Sequence, residues 1–246
     1  YNTSDLLAVV GMDKDHSVSI YDWRQGMLLC RCFSGMRRII DICFSPDDQY
    51  LLSCGIREVR TYKIDTWSLA STKLMLVDGG MLQPFLCCTY FAGYPTVGTT
   101  DGHLYVYDGN ALHHVVKAHT GPIHAIHVSH AGDQLVTGGK DGLVKLWNQS
   151  LDCVKEFSVD TVLPVAQPTI SHRVRSVCFS RDDQFLLVGT RGAEIFEIRI
   201  SNASMVGNRP ILQAHGYREL HGLATHPVKE EFVTAGDDCT IRLWDS

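Results

Sequence analysis

Apolar and polar positions alternate along most of this chain in short runs broken by Gly, Asp, Asn and Ser. SVSIYDW from Ser17, EVRTYKI from Glu58, HLYVYD from His103 and LVKLW from Leu143 carry the pattern. Alternation with period two places successive side chains on opposite faces of a strand. The continuous apolar run LLAVVG from Leu6 predicts a short buried strand, and YLLSCG from Tyr50 and FLLVGT from Phe185 are further strands. The pattern predicts an all-β chain of many short strands.

The strands recur as units. Each unit is marked by a large residue closing its third strand: Tyr21, Tyr62, Tyr107, Trp147, Ile198 and Trp244, at intervals of 41, 45, 40, 51 and 46 residues. The long interval holds a Pro-containing insertion at 158–171. CFSPDDQYLL begins at Cys43 and CFSRDDQFLL at Cys178, 135 residues apart, which is three periods of 45. Self-similarity at such a period is the mark of a repeat architecture. The Asp-Asp pair in both copies reads as a solvated hairpin turn, not as paired carboxylates for acid–base work. Boundaries fall near 1–33, 37–78, 84–117, 120–158, 172–212 and 218–246. The expected outer strands include GMLLCRCF from Gly26 and STKLMLV from Ser71. The first unit lacks its first strand and the last its outer strand, so 22 strands are expected.

Two units share a longer motif. AHTGPIHAIHVSHAGDQLVTGGKDGLVKLW runs from Ala118 to Trp147, and AHGYRELHGLATHPVKEEFVTAGDDCTIRLW from Ala214 to Trp244. Asp141 and Asp238 each precede their Trp by six positions, and Thr137 and Thr234 by ten. An indole N–H only donates, a hydroxyl donates and accepts, imidazole does either, and a carboxylate only accepts. Trp147, Thr137, His119 and Asp141 can therefore form one directed hydrogen-bond chain. Trp244, Thr234, His215 and Asp238 can form another. This is the WD40-type blade signature, a four-stranded unit of a β-propeller. The expected fold is one propeller domain of about six blades, the first and last incomplete, and part of a seven-bladed or tandem propeller. Asp15 before Tyr21 and Asp101 before Tyr107 keep the turn, while the fifth unit shortens it and loses the four-residue chain.

Composition narrows the function. The chain has 246 residues, 22 Lys and Arg against 27 Asp and Glu, and formal charge −5. That argues against a nucleic-acid footprint, which needs a basic domain or stripe. No apolar run is long enough to span a membrane. The chain begins at Tyr1 without Met and shows no signal peptide, so a piece of a longer protein is expected. Nine scattered cysteines with no Cys-x-x-Cys pair read as reduced core thiols of a cytosolic protein. Sequons at Asn2, Asn148 and Asn202 would stay unused there. There is no Gly-x-Ser-x-Gly elbow, Walker loop or dinucleotide fingerprint, so neither an enzyme nor a cofactor is expected. His124, His127 and His130 recur every three residues. In a strand–turn context, without a carboxylate beside them, they are not expected to converge on a metal. His113 and His114 are placed at a loop edge.

Several segments together resemble the echinoderm microtubule-associated-protein-like (EMAP-like) family. They are LHGLATHPVKEEFVTAGDDCTIRLWD at 220–245, HSVSIYDWRQG at 16–26, GTTDGHLYVYDG at 98–109 and FLLVGTRGAEIFEI at 185–198. The resemblance covers most of the chain, and the element at 221–227 is its most specific part. It implies a non-catalytic scaffold in the cytoplasm and cytoskeleton whose partners are tubulin, microtubules and other proteins. In that family two tandem propellers act as one unit, and this segment resembles the later part of the first. A hydrophobic motif and an oligomerising coiled coil would lie upstream. A propeller adaptor for another protein or peptide, in signalling or ubiquitin transfer, is the alternative. Recognition in propellers lives in rim loops, and tubulin is acidic. The candidate partner-binding residues are therefore Arg37 and Arg38 beside Met36, Lys140, Arg191, Tyr217 and Arg218.

Overall fold

The computed structural model describes residues 5–14, 16–35, 37–65, 68–77, 79–162, 172–207, 209–215, 220–237 and 239–245. Over these residues the strands gather in chain order into six antiparallel sheets, the arrangement of a partial β-propeller. The first sheet holds β1 (Leu6–Val10), β2 (Ser17–Asp22) and β3 (Met27–Phe33). The second holds β4 (Ile39–Phe44), β5 (Tyr50–Gly55), β6 (Glu58–Asp65) and β7 (Ser68–Lys73). The third holds β8 (Phe85–Phe91), β9 (Tyr94–Thr99), β10 (His103–Asp108) and β11 (Ala111–Lys117). In the fourth are β12 (Ile123–Val128), β13 (Leu135–Gly139), β14 (Leu143–Trp147) and β15 (Cys153–Ser158), followed by one helical turn, α1 (Val159–Val162). The fifth has β16 (Val174–Phe179), β17 (Phe185–Thr190) and β18 (Glu194–Arg199), with β19 (Ser204–Met205) and β20 (Leu212–Gln213) both pairing β18. The sixth has β21 (Leu220–Thr225), β22 (Glu231–Gly236) and β23 (Ile241–Asp245).

The core lies between successive sheets. Leu52, Cys54 and Val59 of the second sheet pack on Phe85, Val97 and Tyr105 of the third. Leu104 and Phe91 of the third meet Ile123, Leu135 and Trp147 of the fourth. Val136, Val144 and Leu146 of the fourth meet Val174, Leu186 and Phe196 of the fifth. Each fully buried aliphatic or Phe side chain contributes about 1.5–3 kcal/mol. Leading strands β4, β8, β12 and β16 neighbour one another in turn, so they form the inner wall.

Two features repeat from sheet to sheet. Five leading strands carry a bulge after their first residue, and the extra residues are Ile40, Leu86, His124, Arg175 and His221. A bulge leaves its extra residue outside the ladder and re-aims its side chain. One backbone hydrogen bond also ties the turn between second and third strands to the loop before the leading strand. It joins Ile56 N to Arg38 O at 3.1 Å, Thr100 N to Pro84 O at 3.2 Å, Lys140 N to Pro122 O at 2.9 Å and Arg191 N to Arg173 O at 2.8 Å. These bonds place the named residues at equivalent stations on one rim.

The structure departs from the sequence reading in several places. β1 is half-exposed along its length, with Leu7 and Val9 open, because it edges a three-stranded sheet. The outer strand of the second sheet is Ser68–Lys73, earlier than the apolar run from Ser71 suggested, since it follows the register of β6. The fifth sheet's outer strand is split into β19 and β20, so 23 strands are described where 22 were expected. The turn of the fifth sheet is not shortened: residues 191–193 match 140–142 in length. His113 and His114 sit within β11, not at a loop edge.

Candidate interaction surface and the network behind it

In the fourth sheet the Trp147 indole donates to Thr137 Oγ1 at 3.0 Å. His119 Nε2 lies 2.8 Å from the same hydroxyl, and Nδ1 lies 2.9 and 3.1 Å from the Asp141 carboxylate oxygens. Asp141 also accepts from Thr120 N at 3.0 Å and Leu143 N at 3.2 Å. His119 is 2% exposed and Thr137 fully buried. Burial holds the His119 imidazole below its ordinary value, against the pull of Asp141. With the ring neutral, Nδ1–H donates to Asp141 and Nε2 accepts from Thr137. Every member of this chain is thereby occupied.

The sixth sheet repeats part of it. Trp244 Nε1 donates to Thr234 Oγ1 at 2.7 Å, and His215 Nε2 lies 2.8 Å from that hydroxyl. Nδ1 of His215 lies 3.2 Å from Thr240 Oγ1. Asp238 lies outside the described residues, as does Asp15 of the first unit.

Other sheets solve the same position differently. Ser53 Oγ donates to Tyr62 OH at 3.3 Å inside the second sheet, a pair the sequence reading missed. Its only signal is a Ser nine residues before the Tyr, one fewer than Thr to Trp. In the third sheet Asp101 accepts from Thr99 Oγ1 at 2.5 Å and lies 3.0 Å from His103 Nδ1. Val97 pairs where a hydroxyl would be, and the buried Tyr107 hydroxyl has no partner among the described residues. In the fifth, buried Glu194 takes Thr190 Oγ1 and Gln213 Nε2, both at 3.4 Å, and burial raises its carboxyl.

The paired-Asp turns match closely. Ser45 Oγ donates to Asp47 at 2.5 Å and Ser180 Oγ to Asp182 at 2.6 Å. Asp48 and Asp183 both adopt left-handed backbone, at φ 56° and 55°. Asp183 does more than face solvent. It accepts from His130 N at 2.8 Å and Ala131 N at 2.9 Å, clamping the fourth sheet to the fifth.

Of the three histidines of β12 and its following turn, His127 and His130 are neighbours with ring centroids 6.5 Å apart, while His124 meets a different partner. An Arg175 N–H points to His124 Nδ1 at 3.5 Å, the His127 ring lies 6.0 Å from that of Phe179, and His130 Nδ1 lies 3.1 Å from Asp183. Asp183 is a carboxylate neighbour that the sequence reading did not foresee. A cavity of about 610 Å³ opens by the inner strands, lined by Asp41, Cys43, Cys88, Tyr90, His127 and His130. Asp41 there accepts from Cys88 N at 2.8 Å, joining the second sheet to the third, and burial raises its carboxyl.

Of the candidate rim residues, Arg37, Arg38, Lys140 and Arg191 are exposed. Tyr217 and Arg218 lie outside the described residues, as does Met36. Arg38 occupies the same station in the second sheet that Arg173 does in the fifth, and Lys140 the same as Arg191. The sequence reading missed Arg173 and Arg175. The bulge that turns Arg175 toward His124 leaves no trace in the hydrophobic pattern.

Comparison with known proteins agrees with this architecture. The WD domain, G-beta repeat family matches residues 29–56, 110–148 and 208–245. Echinoderm microtubule-associated protein-like 2 of Mus musculus is 30% identical over 250 residues, covering 100% of this chain and 36% of that protein. The 77 kDa echinoderm microtubule-associated protein of Lytechinus variegatus is 29% identical over 255 residues, covering 99% of this chain and 35% of that protein. Echinoderm microtubule-associated protein-like 1 of Homo sapiens is 26% identical over 252 residues, covering 100% of this chain and 29% of that protein. The chain thus spans about a third of the length of the relatives it matches. The chain carries matches to WD40 repeats in three segments, folds as a partial β-propeller, and is similar from end to end to the echinoderm microtubule-associated-protein-like proteins.

Proposed function

We propose that the chain is a non-catalytic scaffold of the cytoskeleton that contributes to tubulin or microtubule binding in the manner of its relatives. The observation that carries this reading is similarity over the whole chain to proteins named for microtubule association. The site chemistry supports it. His119, Thr137, Asp141 and Trp147 spend their donors and acceptors on one another inside the fourth sheet, which fits an architectural role. Buried networks of this kind rigidify a fold when complete. His215, Thr234 and Trp244 make the matching contacts in the sixth sheet, and Asp238, which lies outside the described residues, is proposed to complete them. Recognition then falls to exposed rim residues, with Arg37, Arg38, Lys140 and Arg191 the first to test, together with Tyr217 and Arg218, which lie outside the described residues.

Cosedimentation of the protein with stabilised microtubules, beside an unrelated propeller as control, tests the proposal. Pelleting of this protein above the control is the expected result. Equal partition of the two into the supernatant would overturn it and favour an adaptor for another protein.

A further inference from the structure

Lys140, Arg173, Arg175 and Arg191 lie on two adjacent sheets at one rim. Lys140 and Arg191 occupy the equivalent turns, and Arg173 is bonded through its carbonyl to Arg191 N at 2.8 Å. Arg175 is the bulged residue of β16, and it meets His124, the bulged residue of β12, at 3.5 Å. All four cations are exposed. None forms an ion pair with a described residue, whereas Arg60 is held by Glu58 at 2.7 Å and Lys145 by Glu156 at 2.6 Å. The chain carries more carboxylates than cations, 27 against 22, so the unpaired cluster is not a consequence of composition. Burial first, then the charges of Arg175, Lys140 and Arg173, hold the His124 ring below its ordinary value.

We propose that this rim, formed by Lys140, Arg173, Arg175 and Arg191, binds an extended acidic peptide segment. The inference rests on the scaffold reading above and names the surface and the partner chemistry. Like charges brought together on a rim await an anion, and charge complementarity steers partners and sets specificity. Cations on separate turns of two sheets suit a series of carboxylates along an extended chain, whose alternate side chains face the same way. A nucleic acid fits less well. It would want a basic stripe over the domain, and here the net charge is −5.

The test is fluorescence anisotropy of a labelled oligo-glutamate peptide against the full chain, at low and near-physiological salt. The combined variant Lys140→Glu, Arg173→Glu, Arg175→Glu and Arg191→Glu should lose about tenfold or more in affinity. The milder set with Gln at the same positions, checked for folding by near-ultraviolet circular dichroism, should lose several-fold. A charge-matched control, Lys14→Glu, Lys63→Glu, Arg181→Glu and Arg209→Glu, should bind like the parent. No binding by the parent, equal loss in the control, or tighter binding of single-stranded DNA or phosphatidylserine vesicles than of the peptide would overturn the inference. Microtubule pelleting is run in parallel. Pelleting without peptide binding removes this inference and leaves the scaffold reading. Peptide binding without pelleting removes that reading and leaves the acidic-peptide surface.

Discussion

His119 Nδ1 lies 2.9 Å from Asp141 Oδ1, with the imidazole almost wholly withdrawn from water. The pair joins the loop entering the fourth sheet to the turn between β13 and β14. Thr120 N and Leu143 N complete the shell of Asp141. Removing that carboxylate strands one imidazole donor and two backbone donors. Asp141→Ala should therefore lower stability by about 1–3 kcal/mol, read as a fall in the equilibrium urea midpoint. An unchanged midpoint would mean that the network does not hold the sheet.

The same pair sets a pH dependence. Burial lowers the folded pKa of His119 below its ordinary 6.5. The unfolded chain then binds more protons as pH falls through that value. Asp141 is also held low by its backbone and His119 partners, against the effect of burial. Its contribution is present above the ordinary carboxylate range and lost as pH falls through its folded pKa. Both groups act in one direction. The urea midpoint should fall between about pH 7.5 and about pH 5.5, and less steeply in His119→Gln. Equal slopes in the two proteins would exclude His119 as the source.

Trp147 and Trp244 make the same bond in unequal surroundings. Trp147 is 3% exposed in a four-stranded sheet, whereas Trp244 is only half-buried in a three-stranded one. Trp147→Ala should cost about 3–5 kcal/mol, and Trp244→Ala clearly less. Thermal or urea unfolding of the two variants gives the comparison, and equal losses would contradict it.

Gly102 adopts φ +87°, and a Cβ there would stand 2.2 Å from the His119 carbonyl oxygen. Its own carbonyl accepts from Ala118 N and His119 N, both at 2.9 Å. The turn of the third sheet thus presses on the loop that carries His119. Gly102→Ala should destabilise by at least about 1–3 kcal/mol, the cost of left-handed strain, before any backbone shift. A change within error in the unfolding midpoint would count against this packing.

Cysteine reactivity should follow position. Cys153 and Cys239 are exposed, while Cys54, Cys87 and Cys88 are buried, and desolvation pushes their thiols up. The thiolate is the reactive form. Mass spectrometry after brief alkylation of the native protein should find label at Cys153 and Cys239, and at the other three only after unfolding.

Much of this was legible before coordinates. The Thr-to-Trp and Asp-to-Trp spacings located the four-residue chain of the fourth sheet and the Trp244–Thr234–His215 part of that in the sixth, because each position has one donor–acceptor role that few side chains fill. The repeated CFSxDDQ segment located two identical turns. The bulge at Arg175 alters register without altering which residues are apolar. The clamp from Asp183 to His130 joins residues 53 positions apart, and local pattern carries no such information. Ser53 and Tyr62 escaped because a phenol replaced the indole and the turn lost one residue. β1 read as buried because composition reports apolarity, not the neighbours a strand has.

We propose that the His119–Asp141 network holds its sheet while the basic rim does the recognising. Microtubule cosedimentation of the combined variant Arg37→Glu, Arg38→Glu, Lys140→Glu and Arg191→Glu, with its urea midpoint measured in parallel, tests it most directly. Loss of pelleting at an unchanged midpoint is the predicted result. Undiminished pelleting, or a collapse of the midpoint with it, would contradict the claim.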